Sequence, residues 1–223
     1  ITEKQTDALR NLAKQYGTTA RDQAKSFYQV VSSGVTDTAA ANKLLSEANK
    51  LAIGGLADTK SSIDILTSAI NAYGVENLSA KDTADALFTA VRLGKTTVSE
   101  LASSLSLAIP AAKSAGVNID LLSASVATLT TKGFDTSVAV TRVNGLLTAL
   151  ARNGDKLGSG FDLTAVKTVG LVKVLQRLQK RTGGNADSLL ELLGRQEAVQ
   201  AVQTLAADGA RDLTKTYAQF TEK

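Results

Sequence analysis

Apolar residues recur along this chain at intervals of three and four. Ala20, Ala24, Phe27 and Val31 form one stripe; Ala84, Leu87, Phe88 and Val91 form another, followed by Val98, Leu101, Leu105 and Ile109, and later by Val140, Val143, Leu147 and Leu150. That spacing keeps side chains on one face of a helix, and no segment sustains the alternation of a half-buried strand. Between the stripes stand glycines at a nearly even beat: Gly17, Gly34, Gly54, Gly74, Gly94, Gly116, Gly133 and Gly154. Soon after most of them comes a residue whose side chain can take up the free amides of a new helix: Thr18, Asp37, Asp58, Ser79, Thr97, Asn118 and Thr136. The pattern predicts an all-α fold without a sheet. Its expected form is a multi-helix array of about ten short antiparallel helices built from helical hairpins, each about 20–25 Å long.

The boundaries carry further detail. Three pairs read as capping boxes: Thr19 with Asp22, Ser79 with Asp82, and Thr97 with Glu100. Pro110 stands inside the stripe that begins at Thr97 and is expected to kink that helix or end it near Ile109. Two stretches echo each other 56 residues apart, Leu51-Ala52-Ile53 with Leu107-Ala108-Ile109 and Ile63 to Leu66 with Ile119 to Leu122. The echo is open to two readings, a duplicated hairpin or two similar amphipathic helices. The beat breaks at Asn153–Phe161, where three glycines and a serine crowd together. The expected division is therefore a core helical-hairpin domain over 1–152, a Gly-rich loop over 153–161, and a C-terminal helical subdomain over 162–223. That last part is expected as helices near 163–181, interrupted at Gly170, then 185–193, 195–207 and 210–222.

Composition narrows the chemistry. The 223 residues contain no Cys, His, Met or Trp and only nine aromatic side chains, so the expected core is aliphatic with small residues at close contacts. Thiolate nucleophiles, imidazole bases and nitrogen or sulfur metal sites are excluded. The net charge of +4 is spread thinly, too evenly to argue nucleic-acid binding, and no apolar run is long enough to span a membrane. A chain that opens at Ile1 and lacks Met is expected to be a piece of a longer protein.

Three clusters invite a chemical reading, and each has a simpler one. Leu93-Gly94-Lys95-Thr96-Thr97 resembles the end of a phosphate-binding loop, but Thr89 stands where the loop's first Gly belongs, and a helix precedes it instead of a strand. Gly94 as a helix end and Thr97 as the next start account for the segment. Asp82 and Asp85 lie one turn apart, yet acids in a first turn already favour the helix dipole. Lys167, Lys173, Arg177, Lys180 and Arg181 form a basic run without interleaved aromatics, as a solvated helix face does. No catalytic, cofactor-binding or metal-binding residue is assigned, and no cofactor is expected.

Longer segments carry a resemblance. NKLAIGGLADTKSSIDILTSAINAYG (49–74), the stretch from Ala84 to Leu150 that contains RLGKTTVSELASSLSLAIPAAKSAGVNIDLL, and LQKRTGGNADSLLELLGRQEAVQAVQTLAADGA (178–210) resemble the conserved core region of tape measure proteins from long-tailed bacteriophages. YGTTARDQAKSFYQVVSSG (16–34) resembles that region's start, so the likeness covers nearly the whole chain. Its specificity lies in many ordered elements, among them Asn71-Ala72-Tyr73-Gly74 and Gly94-Lys95-Thr96-Thr97. The resemblance implies a structural, non-enzymatic part in a phage tail: governing tail length and assembly, in the tube lumen or at the tip, and leaving before DNA ejection. It implies tail tube protein, tail-tip proteins and tail assembly chaperones as partners, with self-association, no sequence-specific nucleic acid and no membrane segment. The implied location is the virion tail, after assembly in the bacterial host cytoplasm. The glycine breaks depart from a simple helical ruler, and no heptad seam persists. The expectation is a folded module, with the ruler in flanking helices. The alternative is a helical adaptor that binds a partner helix or peptide.

Overall fold

The computed structural model describes residues 2–158 and 160–222, with the backbone alone at residue 155. Every regular element among them is helical, as the apolar spacing predicts, and they fall into two compact units.

The first unit runs to Phe88 and takes in Thr97–Ser103. It holds α1 (Glu3–Tyr16), α2 (Ala20–Ser32), α3 (Thr38–Gly54), α4 (Thr59–Tyr73), α5 (Ala80–Leu93) up to Phe88, and most of α6 (Val98–Ser104). Short links make α1 with α2 and α3 with α4 hairpins, and α2 packs on both α3 and α4. Leu44, Leu45, Ala48, Ile63, Leu66, Ala69 and Leu87 fill the centre. At its heart lies a polar pair. Gln23 and Asn49 are each 1% exposed and exchange reciprocal amide hydrogen bonds of 3.0 Å across α2 and α3. The remaining Asn49 proton goes to the Leu45 carbonyl (2.8 Å), and Gln23 also donates to Thr18 Oγ1 (2.8 Å). A second reciprocal pair, Gln5 with Asn42 (2.9 and 3.1 Å), ties α1 to α3. Satisfied amide pairs cost little in place and strongly disfavour any slip in helix register, which would strand buried polar groups.

The second unit comprises Thr89–Thr96 and the chain from Ser104 onward. It contains a 3₁₀ turn (Leu105–Leu107), α7 (Ile109–Ala115), α8 (Ile119–Thr131), α9 (Thr136–Arg152), α10 (Gly154–Leu157), α11 (Leu163–Val169), α12 (Leu171–Thr182), α13 (Ala186–Leu193), α14 (Gln196–Leu205) and α15 (Ala207–Thr221). α8 is its axis. All of Leu121–Thr130 is buried, against α7, α9, α14 and α15. On this helix, covered on every side, Ser125, Thr128 and Thr130 donate back to the carbonyls of Leu121, Ala124 and Ala127 at 2.7–2.8 Å, whereas the buried Ser123 hydroxyl has no hydrogen-bond partner among the described residues. α9 and α14 cross closely enough that a Cβ on Gly145 would stand 2.9 Å from Glu197 Cβ.

The cap signals translate into geometry with one chemical refinement. Thr97 and Glu100 form a reciprocal box: the Thr97 amide donates to Glu100 Oε2 (2.9 Å) and the Glu100 amide to Thr97 Oγ1 (3.2 Å). At Thr19 and Ser79 the shorter Asp22 and Asp82 do not reach back to the cap amide. Their carboxylates accept the cap hydroxyl's proton instead (2.6 Å), while that hydroxyl accepts from the Asp amide (3.1 Å). The starts expected at Thr18 and Thr136 lie one residue away, with Thr19 and Asp135 in the extended cap conformation.

Three features differ from the sequence reading. Pro110 does not break a long helix: α6 ends at Ser104, the 3₁₀ turn follows, and Pro110 occupies the first turn of α7, where a missing N–H costs nothing. The chain is therefore cut more finely than the apolar stripes alone indicate. The 56-residue echo does not align the helix starts, since Ile63 is the fifth residue of α4 and Ile119 the first of α8, although the echoed apolar stripe is buried in both helices. Within 153–161, Gly154–Leu157 is helical (α10), and residues on both sides of that segment belong to the second unit; the described units divide near Phe88 and Ser103.

Candidate interaction surfaces

The clusters that invited chemistry are engaged structurally. A Cβ on Gly94 would stand 2.7 Å from Thr130 Oγ1 and 3.0 Å from Ala127 Cα, so this glycine serves a close approach to α8, not a left-handed turn. The Lys95 amide donates to Thr130 Oγ1 (3.0 Å), and Thr96 Oγ1 accepts from Thr136 Oγ1 (2.7 Å). Thr97 caps α6. Asp82 takes the Ser79 hydroxyl and Asp85 pairs with Lys81 at 2.6 Å, so each carboxylate has its own local partner. Among the described residues no three acids gather as a metal would require.

The basic run divides in two. Arg177 and Arg181 donate to the carbonyls of Gly160 (3.3 Å) and Leu157 (2.6 Å), and the Arg181 guanidinium lies 5.1 Å from the Phe161 ring centroid. They clasp the segment between α10 and α11. Lys180, exposed in the last turn of α12, complements the helix dipole. Lys167 and Lys173 do something else. They edge an open cavity of about 510 Å³ within the second unit, between the α7–α8 corner, α11, α12 and α15. Its floor is apolar, from Val117, Leu121, Val166 and Leu171. Asn118 and Tyr217 also line it, and Asn118 Nδ2 donates to the Tyr217 hydroxyl (3.1 Å). A Cβ on Gly116 would lie 2.9 Å from Lys167 Cγ, so the left-handed end of α7 rests on that lysine's stem.

Elsewhere in this unit Arg142 stacks on Phe134, 3.5 Å from the ring centroid, and its Nε donates to Gln200 (2.9 Å). Desolvation lowers its pKa below the ordinary guanidinium value, as burial of a cation does. The first unit, in turn, shows apolar side chains to solvent. Leu56, at the α3–α4 turn, is 95% exposed with φ of +50°, beside Ile53 at 57%, while Tyr28 on α2 is 75% exposed. No functional residue was assigned there from sequence. The available signal was Leu56 itself, an apolar residue after Gly54-Gly55 that belongs to no helical stripe.

Residues 6–206 match the profile of the family described as phage-related minor tail protein. The chain belongs to that family. It is also 24% identical, over 230 aligned positions and 96% of its length, to a probable tape measure protein of Clostridium phage phiCD119. The chain spans 24% of that relative's length. No solved structure matches it. Among the described residues no helix is long and apolar enough to cross a membrane.

Proposed function

We propose that the chain is a folded module of a tape measure protein, acting in tail assembly through its packed surfaces and not through its contour length. The observation that carries this is the combination of the family match over 6–206 with helices of at most 17 residues, wrapped around two buried cores. A helical ruler gains about 1.5 Å per residue, so 223 residues laid end to end would measure about 330 Å. The longest helices here reach only about 25 Å before a glycine or a cap turns them back. Length would then be set by other parts of the parent protein. This module would meet the tail tube protein, tail-tip proteins or tail assembly chaperones, and self-associate, in the virion tail after assembly in the host cytoplasm. It would be released with the rest of the protein at DNA ejection, and carry no enzymatic step. The adaptor reading is compatible with it, because the cavity edged by Lys167 and Lys173 has the dimensions of a ligand pocket.

In-frame deletions in a phage that encodes this chain test the proposal. Removing part of a flanking helical spacer is expected to shorten the tail, whereas removing residues 49–150 is expected to abolish tails. Short, infectious tails from the second deletion would refute it.

A further inference from the structure

From the second unit's open cavity, we propose a docking groove for an acidic peptide segment of another protein, one that inserts apolar side chains between flanking carboxylates. The inference stands on the groove alone, whichever tail component supplies the segment. Its volume of about 510 Å³ accommodates several side chains, and Val117, Leu121, Val166 and Leu171 make its floor apolar. Lys167 and Lys173 stand exposed at its edge, and neither pairs with a carboxylate among the described residues. Among the described residues no Asp or Glu lines the groove. One sign of charge around an apolar trough selects the opposite sign in its occupant.

The polar groups fit the same guest. Asn118 and Tyr217 satisfy each other, and Gln176 Nε2 donates to the Gly209 carbonyl (2.7 Å). That second bond holds an unusual turn in place, because Asp208, Gly209 and Ala210 all have positive φ at the start of α15. The groove's walls are thereby braced without a guest, which lowers the ordering cost of binding. Nucleic acid is the weaker candidate. The trough offers one aromatic side chain, Tyr217, and two lysines, where a single strand would need successive stacking platforms and a charged track.

The test selects short random peptides by display against the whole chain, then measures the enriched sequences by fluorescence anisotropy on the wild type and on the double variant Lys167→Glu, Lys173→Glu. Both lysines are exposed, and circular dichroism verifies that the variant keeps its helices. Enriched peptides are expected to carry Leu, Ile or Phe flanked by Asp and Glu, and to bind the double variant about tenfold more weakly, a loss of ~1.4 kcal/mol. A second variant, Val169→Asp in the groove's wall, is expected to weaken the same peptides. No enrichment, enrichment of basic or neutral peptides, or acidic peptides indifferent to the charge reversal would each overturn the proposal. So would labelled single-stranded or duplex DNA that binds through the two lysines while no peptide is enriched. Loss of tails on deleting 49–150 does not bear on this outcome, so the two readings fail separately.

Discussion

Replacing Asn49 by Ala removes one amide from the centre of the first unit, and the structure sets the size of the effect. Asn49 gives one proton to Gln23 Oε1 (3.0 Å) and to the Leu45 carbonyl (2.8 Å), and its oxygen accepts from Gln23 Nε2 (3.0 Å). Leu45 keeps its helical partner after the change. Gln23, 1% exposed, does not: its carbonyl and one of its two N–H bonds lose their partner, while the bond to Thr18 survives. A buried polar group without a partner costs about 1–3 kcal/mol, so two of them cost about 2–6 kcal/mol. That is a large share of the roughly 5–15 kcal/mol that stabilises an ordinary domain. With a urea dependence of about 2 kcal/mol/M, the unfolding midpoint is expected to fall by about 1–3 M. Gln23→Leu alone strands the Asn49 amide and is expected to be similarly harmful. The double variant Gln23→Leu, Asn49→Leu removes both polar partners and is expected to recover most of the loss; with Asn49→Leu as the second single variant, the cycle is expected to give a coupling energy of at least ~1.5 kcal/mol. Urea titrations followed by far-ultraviolet circular dichroism measure the cycle. A cost below ~1 kcal/mol for Asn49→Ala, or a double variant as unstable as the singles combined, would refute the reasoning.

Two smaller effects follow from the same geometry. Gly94→Ala puts a methyl 2.7 Å from Thr130 Oγ1 and 3.0 Å from Ala127 Cα, and is expected to cost ~1–3 kcal/mol. Gly17→Ala meets nothing within 4 Å and strains only the left-handed φ of +67°, so thermal melts should show a loss of about 1 kcal/mol and a smaller shift than for Gly94→Ala. The Asp58 cap is held below its ordinary 3.8 by the Ser61 hydroxyl and then by the Ser61 amide. A lowered carboxylate pKa means that the unfolded chain binds the proton first, so the cap's stabilisation is present above 3.8 and is lost as pH falls through the lower folded value. Wild type is expected to exceed Asp58→Ala by ~1 kcal/mol at neutral pH, with the gap closing as the pH falls below 3.8. A gap that stays constant in acid would assign the stabilisation to something other than the ionised cap.

The parts of the fold that were legible in the sequence are those whose causes are local. A cap and its amide lie three residues apart, so Asp37, Asp58 and Asn118 mark α3, α4 and α8 without any knowledge of packing. The evenly spaced glycines were legible as boundaries but not in their reasons. Gly116 takes a left-handed φ, whereas Gly94 keeps an ordinary φ and is needed because Thr130, 36 residues later, comes within a methyl's breadth. The same distance in sequence hid the groove. Its lysines were visible as part of a basic run, but only tertiary packing separates Lys167 and Lys173, which edge a cavity, from Arg177 and Arg181, which clasp backbone carbonyls. The break at Ser104 escaped for another reason: the stripe from Val98 to Ile109 stays in helical register across the 3₁₀ turn, so periodicity gave no sign of it.

The central claim is that this chain serves the tail through its fold and not through its residue count, and Asn49→Ala in an assembling phage separates the two. The substitution leaves the number of residues unchanged and weakens only the packed unit. Electron microscopy of lysates grown at rising temperature is expected to show fewer tails for Asn49→Ala, each of wild-type length, with yield restored in the Gln23→Leu, Asn49→Leu double variant. Undiminished yield from a protein shown to be destabilised, or tails of altered length, would contradict the account.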